Sequence, residues 1–512
     1  MAGKLVAILS GLALLAAGYF IGSKFGGDRS HVIVGDGSRY SAGADGSAGA
    51  DNNSAAQGGR LADYARSVGA SGKGNTIEVR DGESIQAAVA SASAGDVIRV
   101  FPGTYRETVY IDKDDIQLSG VIIGGEWPVM EGDKKLNDAI LYSGNSITVE
   151  NFRIQHYKGN AVMGQAGNNF LIRNNHVIDT GVYGIFPQLG KNGLISHNVL
   201  SEIEDAAIYV GMCDNIHVSH NEVFNSVAGI EIENSRHSIV ESNYVHNNTG
   251  GILVFITPGL PIKTTVDTIV RNNFVVNNNT ANFAAEGSIV AGVPAGTGIL
   301  NMAGDETTIE GNIISGNKNA GIIITDHMNA GNITLDPESE PNSDKVAILD
   351  NFMFDNGAEP IPEIKALKLA TLTTGNVDIV NVGKSTGSCI LNPKQYPTVG
   401  LGDFGTCGFT TTAQTVTYLL PEPAPKREIA KADMGKAAFH GICAGCHAYN
   451  VRMIGPPVQI IQALYMDNPE GIAAYAANPV KKRDDYPEMP PQKHLSEEIR
   501  LAAAKYLLEL KN

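Results

Sequence analysis

Between about residues 76 and 410, short runs of alternating apolar and polar positions recur every 22 to 24 residues. Two markers fix the period. An apolar residue stands three positions before an Asn at Ile172 and Asn175, Ile195 and Asn198, Val218 and Asn221, Val240 and Asn243, Val270 and Asn273, Ile309 and Asn312, and Ile348 and Asn351. A small residue precedes alternating apolar ones at Gly184-Ile185, Ala207-Ile208-Tyr209-Val210, Gly229-Ile230-Glu231-Ile232, Gly251-Ile252-Leu253-Val254 and Gly321-Ile322-Ile323-Ile324. Period-two strands separated by Gly and Asn turns at this repeat length predict the stacked coils of a parallel β-helix. Each coil covers the inward residues of the next, and Asn at one corner can form a ladder of amide hydrogen bonds. The leucine pattern of a leucine-rich repeat is absent. A short amphipathic helix at Ser84-Ile85-Gln86-Ala87-Ala88-Val89 is placed to cap the first coil.

If Ile230 and Ile232 point inward, Glu231 and Glu233 point outward, with Tyr209 one coil away, about 4.8 Å along the axis. His197 and His220 also occupy equivalent positions in adjacent coils. Carboxylates beside Tyr and His can serve polysaccharide lysis or hydrolysis, or hold a cation. The plainer expectation is a solvated outer face of stacked polar side chains. The Asn spacing lengthens after Asn243, which puts insertions at about 255–267, 277–297 and 325–346. Leaving from one corner, they would build a raised wall for docking a partner.

Other stretches break the pattern. Residues 5–23 carry no charge and are flanked by Lys4 and Lys24, enough to span a bilayer as an uncleaved anchor or to act as a signal peptide. Either role exports the remainder of the chain. Residues 25–75 are rich in Gly, Ser, Ala and Asp and read as a disordered tether with a short helix near Arg60 to Val68. Residues 411–430 contain Pro421, Pro423 and Pro425 and read as a semi-extended spacer.

The most specific chemistry lies in residues 431–512, at Cys443-Ala444-Gly445-Cys446-His447. Two thiols three positions apart can each form a thioether to a haem vinyl group, with the next His as iron ligand. A redox disulfide or half of a zinc site is the alternative, but the chain has no second Cys pair at zinc spacing. Met489, in Tyr486-Pro487-Glu488-Met489-Pro490-Pro491, is the expected second axial ligand. Met453, Met466 and His494 are the other candidates.

This C-terminal stretch resembles a small class I cytochrome c: a helix carrying Gly435 and Phe439, the C-x-x-C-H string, Ile454-Gly455-Pro456-Pro457, a Met loop and a closing helix. The resemblance implies one covalent haem c on Cys443 and Cys446, His447 and Met489 as iron ligands, and the Pro456 carbonyl holding the other nitrogen of His447. On its closing helix Ile499, Ala503, Tyr506 and Leu510 share one face. The repeat region resembles the right-handed β-helix superfamily of exported, often carbohydrate-active proteins. Val227-Ala228-Gly229-Ile230-Glu231-Ile232-Glu233-Asn234 and Val293-Pro294-Ala295-Gly296-Thr297-Gly298 look like an uncharacterised bacterial branch of it, which implies fold and export but no activity. Alginate epimerases of the superfamily carry Tyr-Gly-x-Asp-Pro-His-Asp. Here the similar string is Tyr183-Gly184-Ile185-Phe186-Pro187-Gln188-Leu189, without its ionisable groups, so that chemistry is not expected there.

The expected architecture is therefore an all-β right-handed parallel β-helix plus a small all-α cytochrome c domain, with one N-terminal transmembrane helix. A net charge of −16 disfavours nucleic acid, yet residues 431–512 hold ten Lys and Arg against nine Asp and Glu. The expected role is single-electron transfer on the periplasmic side of a bacterial inner membrane, with a redox protein or membrane complex as partner. A structural module of such a complex is a related expectation. Polysaccharide binding or modification through Tyr209, Glu231 and Glu233 is the rival. Of the remaining cysteines, Cys389 and Cys407 could bridge and Cys213 reads as a small buried residue.

Overall fold

The computed structural model describes residues 60–330 and 336–511, which fall in one compact unit. The apolar run at 5–23 and most of the expected tether lie outside the described residues. Among the described residues, no helix is long and apolar enough to cross a membrane.

The repeats wind into a parallel β-helix whose walls are three parallel sheets of 13, 11 and 10 strands. Each coil contributes one strand to each wall, and successive coils pair in register, as in Ile208 beside Ile230 beside Ile252. These inward residues are fully buried and form one continuous apolar core along the axis. The corners are held by amide ladders. Asn221 Nδ2 donates to Asn243 Oδ1 at 3.0 Å, and Asn221 Oδ1 accepts from Asn198. This column runs from Asn175 through Asn198, Asn221, Asn243, Asn273 and Asn312 to Asn351. A second column runs through Asn248, Asn278, Asn317 and Asn356. The helix Ile85–Ser91, capped by Ser84, covers the first coil with Ile85, Ala88 and Val89.

Two segments expected to be loose are packed. Residues 60–75 form a helix at Leu61–Tyr64 and a helical turn at Ala65–Ser67, and Val68 is then buried against Leu194 and Leu419. The physical reason is local: Leu61, Tyr64 and Val68 make an apolar stripe that covers Leu171 and Leu194. The expected spacer, residues 411–430, lies as a strap on the same sheet. Arg271 holds the carbonyls of Thr412 and Thr415, while Asn169 pairs with both the amide and the carbonyl of Ala424. Proline keeps this strap extended, and the corner Asn side chains satisfy its backbone.

Residues 431–511 form a helical lobe with helices at Met434–Ala438, Val458–Leu464, Pro469–Ala477 and Glu497–Glu509. The first and last cross closely because Gly435 has no side chain; a Cβ there would lie 2.3 Å from the Ala502 carbonyl oxygen. The last helix buries Ala503, Ala504 and Leu507, and Tyr506 and Leu510 pack half-buried on the same cluster, so of the expected stripe only Ile499 stands outside it. Cys389 and Cys407 are bridged, and Cys213 is buried in the β-helix core.

Candidate functional site

The helical lobe is docked on the outer face of the 11-stranded sheet. Sheet register explains this. Its outward column reads Leu141, Met163, Phe186, Tyr209, Glu231, Leu253, Leu300 and Ile323, almost entirely apolar. Such a face must be covered. At the docking contact Gln188 Nε2 donates to the His440 carbonyl at 2.6 Å, and Phe186 lies against Gly445. The string compared with the epimerase motif is thus a seat for the C-x-x-C-H turn.

The insertions complete the seat. Tyr449 N donates to the Gly259 carbonyl at 3.0 Å, Leu260 is buried among Phe439, Ala444, Val451 and Met453, and Ile289 packs on the same lobe. The expected docking wall therefore holds the chain's own helical lobe. Part of the third insertion, 331–335, lies outside the described residues.

Within the lobe a cavity of about 280 Å³ is lined by Cys443, Cys446, His447, Pro456, Met489, Phe439, Ala503 and Leu507 among others. Both thiols are free, and burial pushes each up to about 12. His447 Nδ1 lies 2.8 Å from the Pro456 carbonyl oxygen, which fixes the ring and leaves Nε2 as its remaining ligating atom. Burial holds this imidazole below its ordinary titration range despite that bond, so it is neutral, as a metal ligand requires. Gly455 is a steric requirement: a Cβ there would lie 2.2 Å from His447 Cε1.

Of the candidate second ligands, only Met489 lines this cavity. Met453 is buried in a different cavity, Met466 is 73 % exposed, and His494 Nε2 meets Gln165 Oε1 at 3.0 Å. The Met489 loop is tied to the β-helix, since Lys158 pairs with Glu488 at 2.7 Å. Lys481, Lys482 and Arg483 edge the mouth. The residues present fit a haem: two thiols, an oriented neutral imidazole and a thioether share one apolar cavity.

Tyr209, Glu231 and Glu233 do point outward and do adjoin, as the register predicts. The expected solvated face is corrected, however: each is 1 % exposed. They line a small cavity with Tyr183, Asp205, Ser288, Met453 and Ile454. Tyr209 donates to Glu233, as does Thr257. Tyr183 and Tyr209 stack at 4.5 Å, and Phe186 meets Tyr209 edge-on at 4.7 Å. Burial pushes Glu233 up to about 8 and raises Glu231 and Asp205 as well. Sequence reasoning missed Asp205 and the cover, although the apolar outward column was the signal for both. His197 and His220 stack at 5.0 Å at a distant corner and do not join the cluster. Among the described residues, no group of three or more His, Cys, Asp or Glu could hold a metal ion by itself.

A family model described as "Right handed beta helix region" matches residues 137–260 and 228–338. The sequence matches none of the curated proteins. Among solved structures, the chain is similar to an alginate lyase from a Paenibacillus species, at 13 % identity and TM-score 0.41, covering 61 % of this chain and 99 % of that one. It is also similar to a DFA-IIIase from Arthrobacter chlorophenolicus, at 15 % and 0.38, covering 62 % and 95 %. A mannuronan C-5 epimerase A-module from Azotobacter vinelandii gives 14 % and 0.38, covering 64 % and 89 %. At these identities and scores no activity is carried over. Residues 137–338 thus match right-handed β-helix repeats, and the three parallel sheets continue a parallel β-helix on both sides of them.

Proposed function

We propose that the helical lobe is a mono-haem c-type cytochrome that passes single electrons, with the β-helix as its rigid mount in an exported protein. The observation that carries this reading is the His447 to Pro456 bond, which orients an imidazole in the cavity that both cysteines and Met489 line. Cys443 and Cys446 would hold the haem covalently, and His447 and Met489 would ligate its iron. When bound, the group supplies a reversible one-electron couple. The chain's own part is positional. Pro456 fixes the tautomer of His447, Phe439, Ala503 and Leu507 exclude water, and the Lys158 to Glu488 pair steadies the Met loop.

Lys481 and Lys482 on the cavity lining suit an acidic redox partner, Arg483 beside them being paired with Asp485. Export, with the chain held at the inner membrane through residues 5–23, belongs to the same proposal. The test is to make the full chain in a host that matures c-type cytochromes. A covalent haem spectrum is expected, lost in the Cys443→Ser, Cys446→Ser variant; a colourless protein with two free thiols overturns the reading.

A second reading, polysaccharide binding, is favoured by a different face. On the ten-stranded sheet Tyr244, Phe274 and Phe352 stand in one outward row, at 43 %, 50 % and 65 % exposure, with Ile313 between the last two. A row of rings at coil spacing suits stacking on sugar rings, whereas buried Tyr209, Glu231 and Glu233 are closed to a polymer. Affinity electrophoresis in acidic and neutral polysaccharides tests it; equal mobility of wild type and Tyr244→Ala, Phe274→Ala would remove it.

A further inference from the structure

Three buried carboxyl groups under the helical lobe have no role in holding a haem. Asp205, Glu231 and Glu233 line one small cavity, and two of their oxygens, Asp205 Oδ1 and Glu231 Oε1, have no hydrogen-bond partner. Burying acids without partners is costly, and an apolar outward column offered Leu or Ile as the alternative at position 231. The cluster is also next to the proposed redox centre. Ile454 lines both cavities, and Phe186 joins Tyr209 on one side to Gly445 of the C-x-x-C-H turn on the other.

We propose that Asp205, Glu231 and Glu233 form a redox-linked proton site, which gains a proton when the adjacent iron is reduced and releases it on oxidation. This rests on the haem reading. One electron enters from an external one-electron reductant, one proton enters from solvent, and a carboxylate becomes a carboxylic acid. The cause is electrostatic. Reduction would remove one positive charge from the neighbouring cavity, and burial of the carboxylates weakens the screening of that change by water and salt. Glu233 is poised for this, because burial places its titration at about 8 and so within reach of neutral pH.

The groups facing the cluster leave it acidic. From the sheet come Tyr183 and Tyr209, the latter donating to Glu233. The next strand end supplies the Thr257 hydroxyl to Glu233, while His327 behind it is turned to the Ile256 carbonyl. The insertion contributes Ser288, whose hydroxyl oxygen is unpartnered. From the lobe, Cys446 lines the neighbouring larger cavity, and Arg452 packs on Gly287 beside Ser288 with its Nε buried and unpartnered, its Nη atoms turned to Asp485 and its guanidinium over the Tyr486 ring. No cation contacts the three acids among the described residues.

The experiment is spectroelectrochemistry of the full chain with its haem, from mildly acidic to alkaline pH, on the wild type, Glu231→Gln with Glu233→Gln, and Asp205→Asn. The wild-type midpoint potential is expected to fall as pH rises, with a slope approaching one proton per electron, and the double variant to lose that slope while keeping its haem spectrum. Redox-difference infrared spectra of the wild type, which need no variant, should show a carboxylic acid carbonyl band that appears on reduction. A pH-independent wild-type potential, or a slope kept in both variants, overturns the proposal. Absence of any haem band overturns the haem reading instead, and the proton site with it.

Discussion

Gln188 Nε2 donates to the carbonyl oxygen of His440 at 2.6 Å, and this bond fastens a β-helix coil to the turn that carries Cys443. Gln188 is fully buried, and replacing it strands the half-buried His440 carbonyl. Gln188→Leu is expected to cost about 1 to 3 kcal/mol in urea unfolding. It should also speed cleavage of the strap at 411–430 by added protease, because the lobe beyond the strap is less firmly seated.

Gly455 has no room for a methyl group beside His447. Gly455→Ala is expected to displace the imidazole and weaken the lobe by about 1 to 3 kcal/mol. Thermal unfolding of the lobe, followed by helical circular dichroism, should move to lower temperature, while the far-ultraviolet β signal persists.

Met489 lines the cavity with His447, whereas Met453 lies under the lobe against the carboxyl cluster. If the lobe holds a haem as proposed, Met489→Ala should abolish the methionine-to-iron charge-transfer band of the oxidised protein and lower its potential. Met453→Ala should keep the band and lose about 2 to 5 kcal/mol of stability.

Asn221 bonds both neighbouring corners and the carbonyls of Ile195 and Ser219. Asn221→Ala leaves several buried partners unmet and is expected to cost on the order of 3 kcal/mol. Native-state hydrogen exchange should show the loss concentrated in the coils on either side, since each coil leans on its neighbours.

Two groups of carboxylates give opposite pH dependence. Burial alone would raise Glu241, but the hydrogen bond and charge of His217, then those of Arg271, hold it at about 2 against an ordinary 4.5. Its stabilisation is complete above 4.5 and is lost as pH falls toward 2, on the order of 2 to 3 kcal/mol. Glu233 is displaced upward, from 4.5 to about 8, so the folded state holds a proton that the unfolded chain has released. Its contribution is present below 4.5 and is lost as pH rises toward 8. Unfolding in urea across this range should show both slopes, with Glu241→Gln flattening the acid side and Glu233→Gln the alkaline side.

The coils, the corner Asn column and the capping helix at Ile85–Ser91 were all legible in the chain order. Each depends on residues a few positions apart or one repeat apart, so local propensity and period determine it. What covers the outward column Leu141, Met163, Phe186, Tyr209 and Leu253 was decided only in three dimensions. The insertion at 277–297 supplies part of the cover and the lobe the rest; the lobe begins some 200 residues later along the chain, and no periodicity connects surfaces that far apart. Hence Glu231 and Glu233, which alternation alone assigns to solvent, are buried with Asp205 at a seam between two structures. Burial there comes from shape and apolar area meeting across the fold, a quantity that a strand's own sequence does not contain.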